Sequence, residues 1–415
     1  MSLIAMAWRY LMFRWFVSLL TASSIALGVA LICGVVALRH EAESALSRDA
    51  GLYDLVVGGK GSPLQLVLSS VYHLDSPTGN IDFTEYERLR RDSRVLWAAP
   101  IGLGDNYAGY RIVGTEAHFF DLPGREGDGR FFELARGGIY KDPFEVVLGS
   151  YVANATGLEI GDTFFGTHGL VDLPGAEVHQ DFPYKVSGIL APTGTAQDRA
   201  IFGSLASVWE IHETEERIHS AIQGSALLGS RRERQATAIL IRLKAPGLRL
   251  WMADEIRKRT EGIAAIPVNE IMRFQRGIID PVQRALLVIA SAVVAVSCLS
   301  CLLTLHQAAE RRRRDIAILR SLGGSRLEVA SLVFLEGVIL TGGGVVLGLA
   351  LGHGGLALAA GPIRDATGLV VQSWRMPTSE LLALGAIAFC GSVASLLPAI
   401  SCYRRTPIED LQLTE

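Results

Sequence analysis

Four stretches of the chain run apolar without a single Asp, Glu, Lys or Arg: Phe16 to Leu38, Ala285 to Leu305, Gly337 to Ala360 and Leu381 to Ile400. Each reaches the roughly 20 residues that a helix rising about 1.5 Å per residue needs to cross hydrocarbon. The pattern predicts four transmembrane helices, at 16–38, 285–305, 327–360 and 380–402 once flanking turns are included. Residues 1–15 read as a short cytoplasmic or interfacial helix, and 403–415 as a polar tail.

Residues 39–268 follow a different pattern, with short apolar runs broken by Gly, Pro and charge, and there is enough chain here for a core of its own. Tyr53 to Val57, Val146 to Leu148, Tyr184 to Ile189 and Ala236 to Leu243 read as strands. Asp82 to Asp92, Ser150 to Thr156, Ser204 to His212 and Leu248 to Thr260 read as helices. Their alternation predicts a mixed α/β domain. Asp82, with Glu85 three residues on, has the form of an N-cap, and the polar gap from His212 to Arg234, with Gly224 and Gly229, reads as a loop. From Asn269 to Arg284 a polar, helically periodic stretch runs into the second span, interrupted only by Pro281, and predicts a stalk helix over 269–284.

Composition agrees with two solvents. Of 415 residues, 49% are hydrophobic and 20% charged, which fits a membrane protein with a large extramembrane part. The net charge of −3 decides nothing about partners, and no domain-wide basic surface suggests nucleic acid. Arg9 and Arg14 precede the first span, where the uncharged run is longer than the 7 to 15 or so residues of a signal-peptide core, so an uncleaved helix is expected. Arg311, Arg312, Arg313, Arg314, Arg320 and Arg326 fill the 306–326 connection, and Arg404 and Arg405 follow the fourth span. The connection at 361–379 carries only Arg364 and Arg375, with Asp365 and Glu380 nearby. Lys and Arg collect on the cytoplasmic side of a membrane. Both termini are therefore predicted cytoplasmic, and the large domain periplasmic or extracellular. The five cysteines, Cys33, Cys298, Cys301, Cys390 and Cys402, all lie in or beside apolar spans, so no disulfide framework is expected in the domain.

Candidate chemistry is sparse. Gly58, Gly59, Lys60, Gly61 and Ser62 lack the G-x-x-x-x-G-K-[ST] spacing of a phosphate loop and read as a turn after a strand. His73, His118, His168, His179, His212 and His219 form no H-x-x-x-H or H-E-x-x-H pair, so no metal site is expected. Cys298 and Cys301 make a C-x-x-C inside an apolar helix, where they read as packing residues. Asn154 with Thr156 is a glycosylation sequon, relevant only in a eukaryotic secretory pathway. No G-x-S-x-G elbow or triad is present, and no catalytic residue is assigned.

The membrane half carries sharper signals. Gly344, Gly348 and Gly352 recur every four residues, placing a small-residue face on the third span where another helix can approach closely, within the chain or in a second copy. His353 is the one ionisable residue in the middle of a span, either a proton-handling group or a side chain reaching the interface. In the basic connection, Ile316, Ala317, Leu319 and Leu322 give a short amphipathic helix interleaved with charge, and Gly323 and Gly324 stop it before a further helix begins near Ser325. Such a helix can hold lipid headgroups or seat in a protein groove.

Several segments resemble one family. ERRRRDIAILRSLGGSRLEVASLVFLEGVILTGGGVVLGLALG is similar to the run into the third helix of the ABC transporter permeases of the MacB, LolC/LolE and FtsX superfamily. The close LPAISCYRRTPIEDL and the opening WRYLMFRWFVSLLTASSIALGVAL resemble the same family, as do EVVLGSYVANATGLEIGDTF and YKVSGIL in the domain. The resemblance implies four transmembrane helices with a MacB-type α/β periplasmic core domain, in a non-enzymatic inner-membrane subunit. It implies a second permease copy, as a homodimer or heterodimer, and a separate ATPase subunit of LolD or FtsE type that holds the ATP and Mg, because this chain carries no Walker motif. Matched position by position, Arg314, Asp315, Ile316, Ala317, Leu319, Arg320, Leu322 and Gly323 correspond to the coupling helix that sits on the ATPase. The activity implied is mechanotransmission: ATP hydrolysis moves the periplasmic domains through the stalk helices, for export, extrusion or lipoprotein-type handling, with a periplasmic adaptor or substrate carrier. FtsX-like signalling to a periplasmic partner and a membrane-tethered scaffold without ATPase are the alternatives. The segment GTAQDRAIFGSLASVWEIH fits a less characterised branch.

Overall fold

The four apolar segments sit in helices longer than themselves: Trp15–Ala50, Pro267–Arg311, Arg326–Thr367 and Thr378–Arg404. The structure, a computed structural model, describes residues 2–124, 129–169, 178–222, 234–321, 323–367 and 374–404. By packing, the chain divides into a unit of residues 1–42 with 278–415 and a unit of residues 43–277.

In the membrane unit, Ser2 caps a helix at Leu3–Phe13 by accepting the Ala5 N–H at 3.3 Å. Ala7 and Leu11 are buried, while Trp8, Met12 and Phe13 are exposed, an apolar and aromatic face suited to the bilayer boundary. The helix expected at 269–284 is present from Pro267 and has a π-helical turn at Gln275–Ile279. Pro281 has no N–H to give the preceding turn, and a wider turn there absorbs the missing bond. The third membrane helix continues to Thr367, into the segment expected as a connection, and residues 405–415 of the expected tail lie outside the described residues.

The glycine face of the third helix lies against the first helix of the same chain. A Cβ on Gly344 would stand 2.8 Å from Ile25, one on Gly348 2.5 Å from Val29 and 2.6 Å from the Ala26 carbonyl, and one on Gly352 2.9 Å from Cys33. The space over this face is filled within the chain, by Ala22, Ala26 and Ala30 and their neighbours. Similar contacts set Gly28 against Val294 of the second helix and Gly391 of the fourth against Thr341 of the third. Ile25, Val29, Cys33, Ala290, Val294, Leu384 and Ile387 form the buried centre, with Cys298 packed beside it. None of the five cysteines forms a disulfide.

The α/β unit is built on strands β1 (Leu55–Gly58), β2 (Ile81–Asp82), β3 (Val95–Tyr107), β4 (Tyr110–Thr115), β5 (Leu134–Gly137), β6 (Glu145–Leu148), β7 (Thr163–His168), β8 (Val178–Leu190), β9 (Ala200–Ser204), β10 (Gln235–Ala236), β11 (Ala238–Leu243) and β12 (Ile263–Ala265). The main sheet runs β12-β1-β11-β3-β4-β9-β6-β8-β5, with β7 pairing β3 and β8, and β2 pairs β10 separately. Most pairs are antiparallel, but β4 with β9 and β6 with β8 are parallel. One face carries a continuous core of Val56, Trp97, Val113, Phe119, Val147, Phe202 and Leu240. The other face splits into a core around Leu55, Val57, Tyr86, Ile239, Ile241 and Met252 and a second around Ile112, Val146, Leu148, Val152, Tyr184 and Ile201. Burial on both faces is why β1, β6 and β11 read as continuous apolar runs rather than alternating ones.

The expected helices appear at Phe83–Arg90, Ser150–Thr156, Leu205–Ile222 and Arg249–Arg259. Asp82 does cap its helix, accepting from Thr84 N–H at 2.7 Å, whereas Glu85 pairs with Arg88 and Arg259 instead of closing a capping box. The third of these helices runs ten residues beyond His212 to Ile222, into the stretch expected as a loop, and residues 223–233 lie outside the described ones. Ser62 of the Gly-Gly-Lys-Gly-Ser run accepts from Gln65 N–H at 3.4 Å and caps the helix Pro63–Val71.

Gly348→Ala is expected to destabilise the chain by about 1–3 kcal/mol as an overpacked contact. Gly343→Ala is expected to be neutral, since its Cβ would meet nothing within 4 Å. Thermal unfolding of both purified variants checks the contrast, and equal effects would remove the close approach as the reason for the glycine face.

Candidate coupling site

The second membrane helix ends at Arg311, and Arg312 breaks its geometry with φ −102° and ψ 13° before a new helix, Arg313–Ser321, begins. That helix stops at Gly323, which has φ +105°, a left-handed conformation open to glycine. Ser325 and Glu328 then start the third membrane helix with a reciprocal cap: Ser325 N–H donates to Glu328 Oε2 at 2.8 Å, and Glu328 N–H donates to Ser325 Oγ at 3.2 Å. The connection is thus a nine-residue helix held between two defined corners.

Its fixed point is Arg312. The guanidinium donates from Nη1 to Glu336 Oε1 at 2.7 Å and lies 4.0 Å over the ring of Tyr10 in the N-terminal helix. Glu336 belongs to the third membrane helix and is 3% exposed, and Arg14 adds a second positive charge near it. A charge-assisted pair that is this dry joins three segments at one place.

The short helix has two distinct sides. Ile316 is half-buried against Ala309, Val329, Val333, Ala399 and Cys402, and Ala317 is buried. Arg314, Ile318 and Ser321, spaced i, i+4 and i+7, are exposed on the other side, Ile318 at 44%. Ile316 thus packs inward, where the chain's own helices take up that face. Arg320 is half-buried, and Leu322 and the side chains of Asp315 and Leu319 lie outside the described residues.

A second polar pair sits at the other ends of the same helices. His353 Nε2 and Glu380 Oε1 are 2.7 Å apart, both side chains wholly buried. The imidazole stacks on Trp374, ring centres 5.9 Å apart, and Cys33 of the first helix interacts with the same carboxylate. His353 therefore points into the bundle and ties the third membrane helix to the fourth beside the first. Arg39 and Asp280 make a more exposed pair, 3.4 Å apart, between the first and second helices. Among the described residues, no group of three His, Cys, Asp or Glu side chains is placed to hold a metal.

The profile of MacB-like periplasmic core domains matches residues 18–256, more than half of the chain, and that of FtsX-like permease C-terminal domains matches residues 287–408. The chain belongs to the ABC transporter permeases of the MacB and FtsX type. Over 98% of its length the permease is 26% identical to the uncharacterized ABC transporter permease protein Rv0987 of Mycobacterium tuberculosis, of which it covers 44%. Over 24% of its length it is 30% identical to the uncharacterized ABC transporter permease YknZ of Bacillus subtilis, of which it covers 24%. The chain therefore spans less than half the length of the curated relatives it matches. The crystal structure of the periplasmic region of MacB from Actinobacillus actinomycetemcomitans aligns with 55% of the permease and 97% of itself, at 10% identity and a TM-score of 0.33. The extracellular domain of YknZ from Gram-positive bacteria aligns with 49% of the permease and 87% of itself, at 10% identity and a TM-score of 0.25.

Sequence reasoning missed Glu336, Glu380 and the outward Ile318. Glu336 and Glu380 each stand one residue before a charge-free run, in the flanking turns of the spans predicted at 327–360 and 380–402, where they read as edge charges. An Arg and a His within reach of such a carboxylate are the signal that finds them. Replacing His353 or Glu380 of the permease singly with Gln is expected to cost about 3–5 kcal/mol, because each breaks a buried polar pair, while the double replacement costs less than either. Thermal unfolding in bilayer nanodiscs reads this out, and single variants as stable as the parent would contradict a buried tie.

Proposed function

We propose that the permease is the membrane subunit of a dimeric ABC system, and that a separate ATPase docks on the outer side of the helix Arg313–Ser321. ATP and Mg are bound by that partner, both ends of the permease face it in the cytoplasm, and the α/β domain works in the periplasm. The observation that carries this reading is the division of the short helix: Ile316, Ala317 and the Arg312–Glu336 pair fasten one side to the bundle, while Arg314, Ile318 and Ser321 are left outward. An apolar side chain flanked by a cation, on a helix anchored from behind, fits a partner's groove. Movement of that partner reaches the second and third membrane helices through Arg312 and the cap at Ser325, and the second runs from Pro267 as one long helix with its π-helical turn. The work delivered is export, extrusion or handling of a molecule by the α/β domain, together with an adaptor or carrier.

Arg314→Glu combined with Ile318→Asp is expected to release a co-expressed partner ATPase, leaving the thermal midpoint of the permease unchanged. Co-purification of the two tagged subunits measures it, and undiminished ATPase recovery would overturn the docking surface. Ile316→Asp is expected to lower the midpoint of the permease itself.

A further inference from the structure

Four successive residues of the turn Ala196–Arg199 grip four different parts of the α/β unit. Ala196 N–H donates to Asp49 Oδ2 at 3.1 Å. Gln197, 1% exposed, gives its amide to the Val71 carbonyl at 3.1 Å and turns Oε1 to His73 Nε2 at 2.9 Å. Asp198 accepts from the N–H groups of Thr193 and Gly194, both at 2.9 Å. Arg199 lies 4.5 Å over the ring of Tyr151 and 5.7 Å over that of Tyr110. Burial holds the His73 imidazole down to about 4, so this partner stays neutral at ordinary pH.

Asp49 is the odd member of this network. It occupies the last turn of the helix that ends at Ala50, where the free carbonyls of the helix end repel negative charge. It is 5% exposed, and among the described residues its carboxylate accepts one hydrogen bond, from Ala196 to Oδ2, with none to Oδ1. Burial pushes its carboxyl up to about 7, opposed by the Ala196 N–H and by Arg48 and reinforced by the charge of Asp198. The hydroxyls of Tyr53 and Tyr72 also face it, both raised well above the usual phenol range by burial and so neutral. One turn earlier, Tyr72 donates to the Leu46 carbonyl at 2.5 Å, which keeps the helix end against the domain.

We propose that this contact is a proton-operated latch: protonated Asp49 seats the helix end, residues 43–50, on the Ala196–Arg199 turn, and ionised Asp49 releases it. Protonation removes the charge that the site cannot solvate and supplies an O–H donor, while ionisation leaves a buried carboxylate with one N–H bond beside Asp198. The sign follows from linkage. A carboxyl raised in the seated state holds fully below the ordinary carboxylate range, loses its hold as pH rises from about 4 to about 7, and changes no further above that. The permease would thereby respond to the acidity of the medium around its α/β unit, independently of any ATPase.

Hydrogen exchange on the full-length permease in nanodiscs, without nucleotide, tests the latch. Exchange of the amides in 47–50 and 193–199 is compared with that of Asp49→Asn, a neutral isostere, at each pH. The ratio is expected to rise roughly tenfold per pH unit from pH 5 to 7 and then to level off. Arg48→Gln, which removes the cation favouring ionisation, is expected to move the plateau to higher pH. A ratio that stays flat from pH 5 to 8, or a plateau that Arg48→Gln leaves in place, would overturn the proposal.

Discussion

The pairing of Arg312 with Glu336 fixes the end of the membrane unit that carries the helix Arg313–Ser321. A carboxylate buried among apolar helices costs several kcal/mol unless a cation meets it with good geometry. Glu336 lies one helical turn above Val333 on the third membrane helix, so its demand for a partner determines where the chain must pass on leaving the second helix. Once Arg312 is there, stacked on Tyr10, the next helix can bury only the side that carries Ile316 and Ala317. Arg314 and Ile318 are left outside as a consequence. The outward surface is a result of an inward constraint.

The bundle above that point is held by shape as much as by charge. In hydrocarbon, apolar side chains gain little from leaving lipid, so helices associate through close packing and scarce polar contacts. Gly344, Gly348 and Gly352 let the backbone of the third helix approach Ala22, Ala26 and Ala30 of the first, and His353 with Glu380 closes the third helix onto the fourth. Polar ties thus stand at both ends of a glycine seam. This arrangement suits a body that moves as a whole, in contrast to the α/β unit, where a ten-stranded sheet buried on both faces supplies the rigidity.

The four membrane helices were legible because hydrocarbon imposes length and the exclusion of charge, and β6 and β11 because burial on both faces makes a strand uniformly apolar. The same exclusion rule hid Glu336 and Glu380, whose charges are neutralised by groups distant in sequence. β3 was hidden by its own composition, since Pro100, Gly102 and Gly104 read as turn signals. Its glycine has another cause: Gly102 pairs with Gly114 of β4, and a Cβ on either would strike Leu205 or Val208 of the helix Leu205–Ile222. Of the coupling residues, the sequence located the segment and its stop at Gly323, but the choice of side depends on Glu336 and could not be read from amphipathicity alone. The Ala196–Arg199 turn drew notice only as an unfamiliar stretch, because its partners at Asp49, Val71 and Tyr151 are spread across the domain.

The most direct measurement is ATPase activity of the assembled complex in nanodiscs, with binding of the ATPase measured on the same samples. With the fastening of the short helix lost, Arg312→Gln and Glu336→Gln are each expected to weaken binding of the ATPase and to uncouple its hydrolysis rate from the permease. The exchanged pair, Arg312→Glu with Glu336→Arg, is expected to restore coupling in part. Full coupling in either single variant would contradict the claim that force passes through this pair.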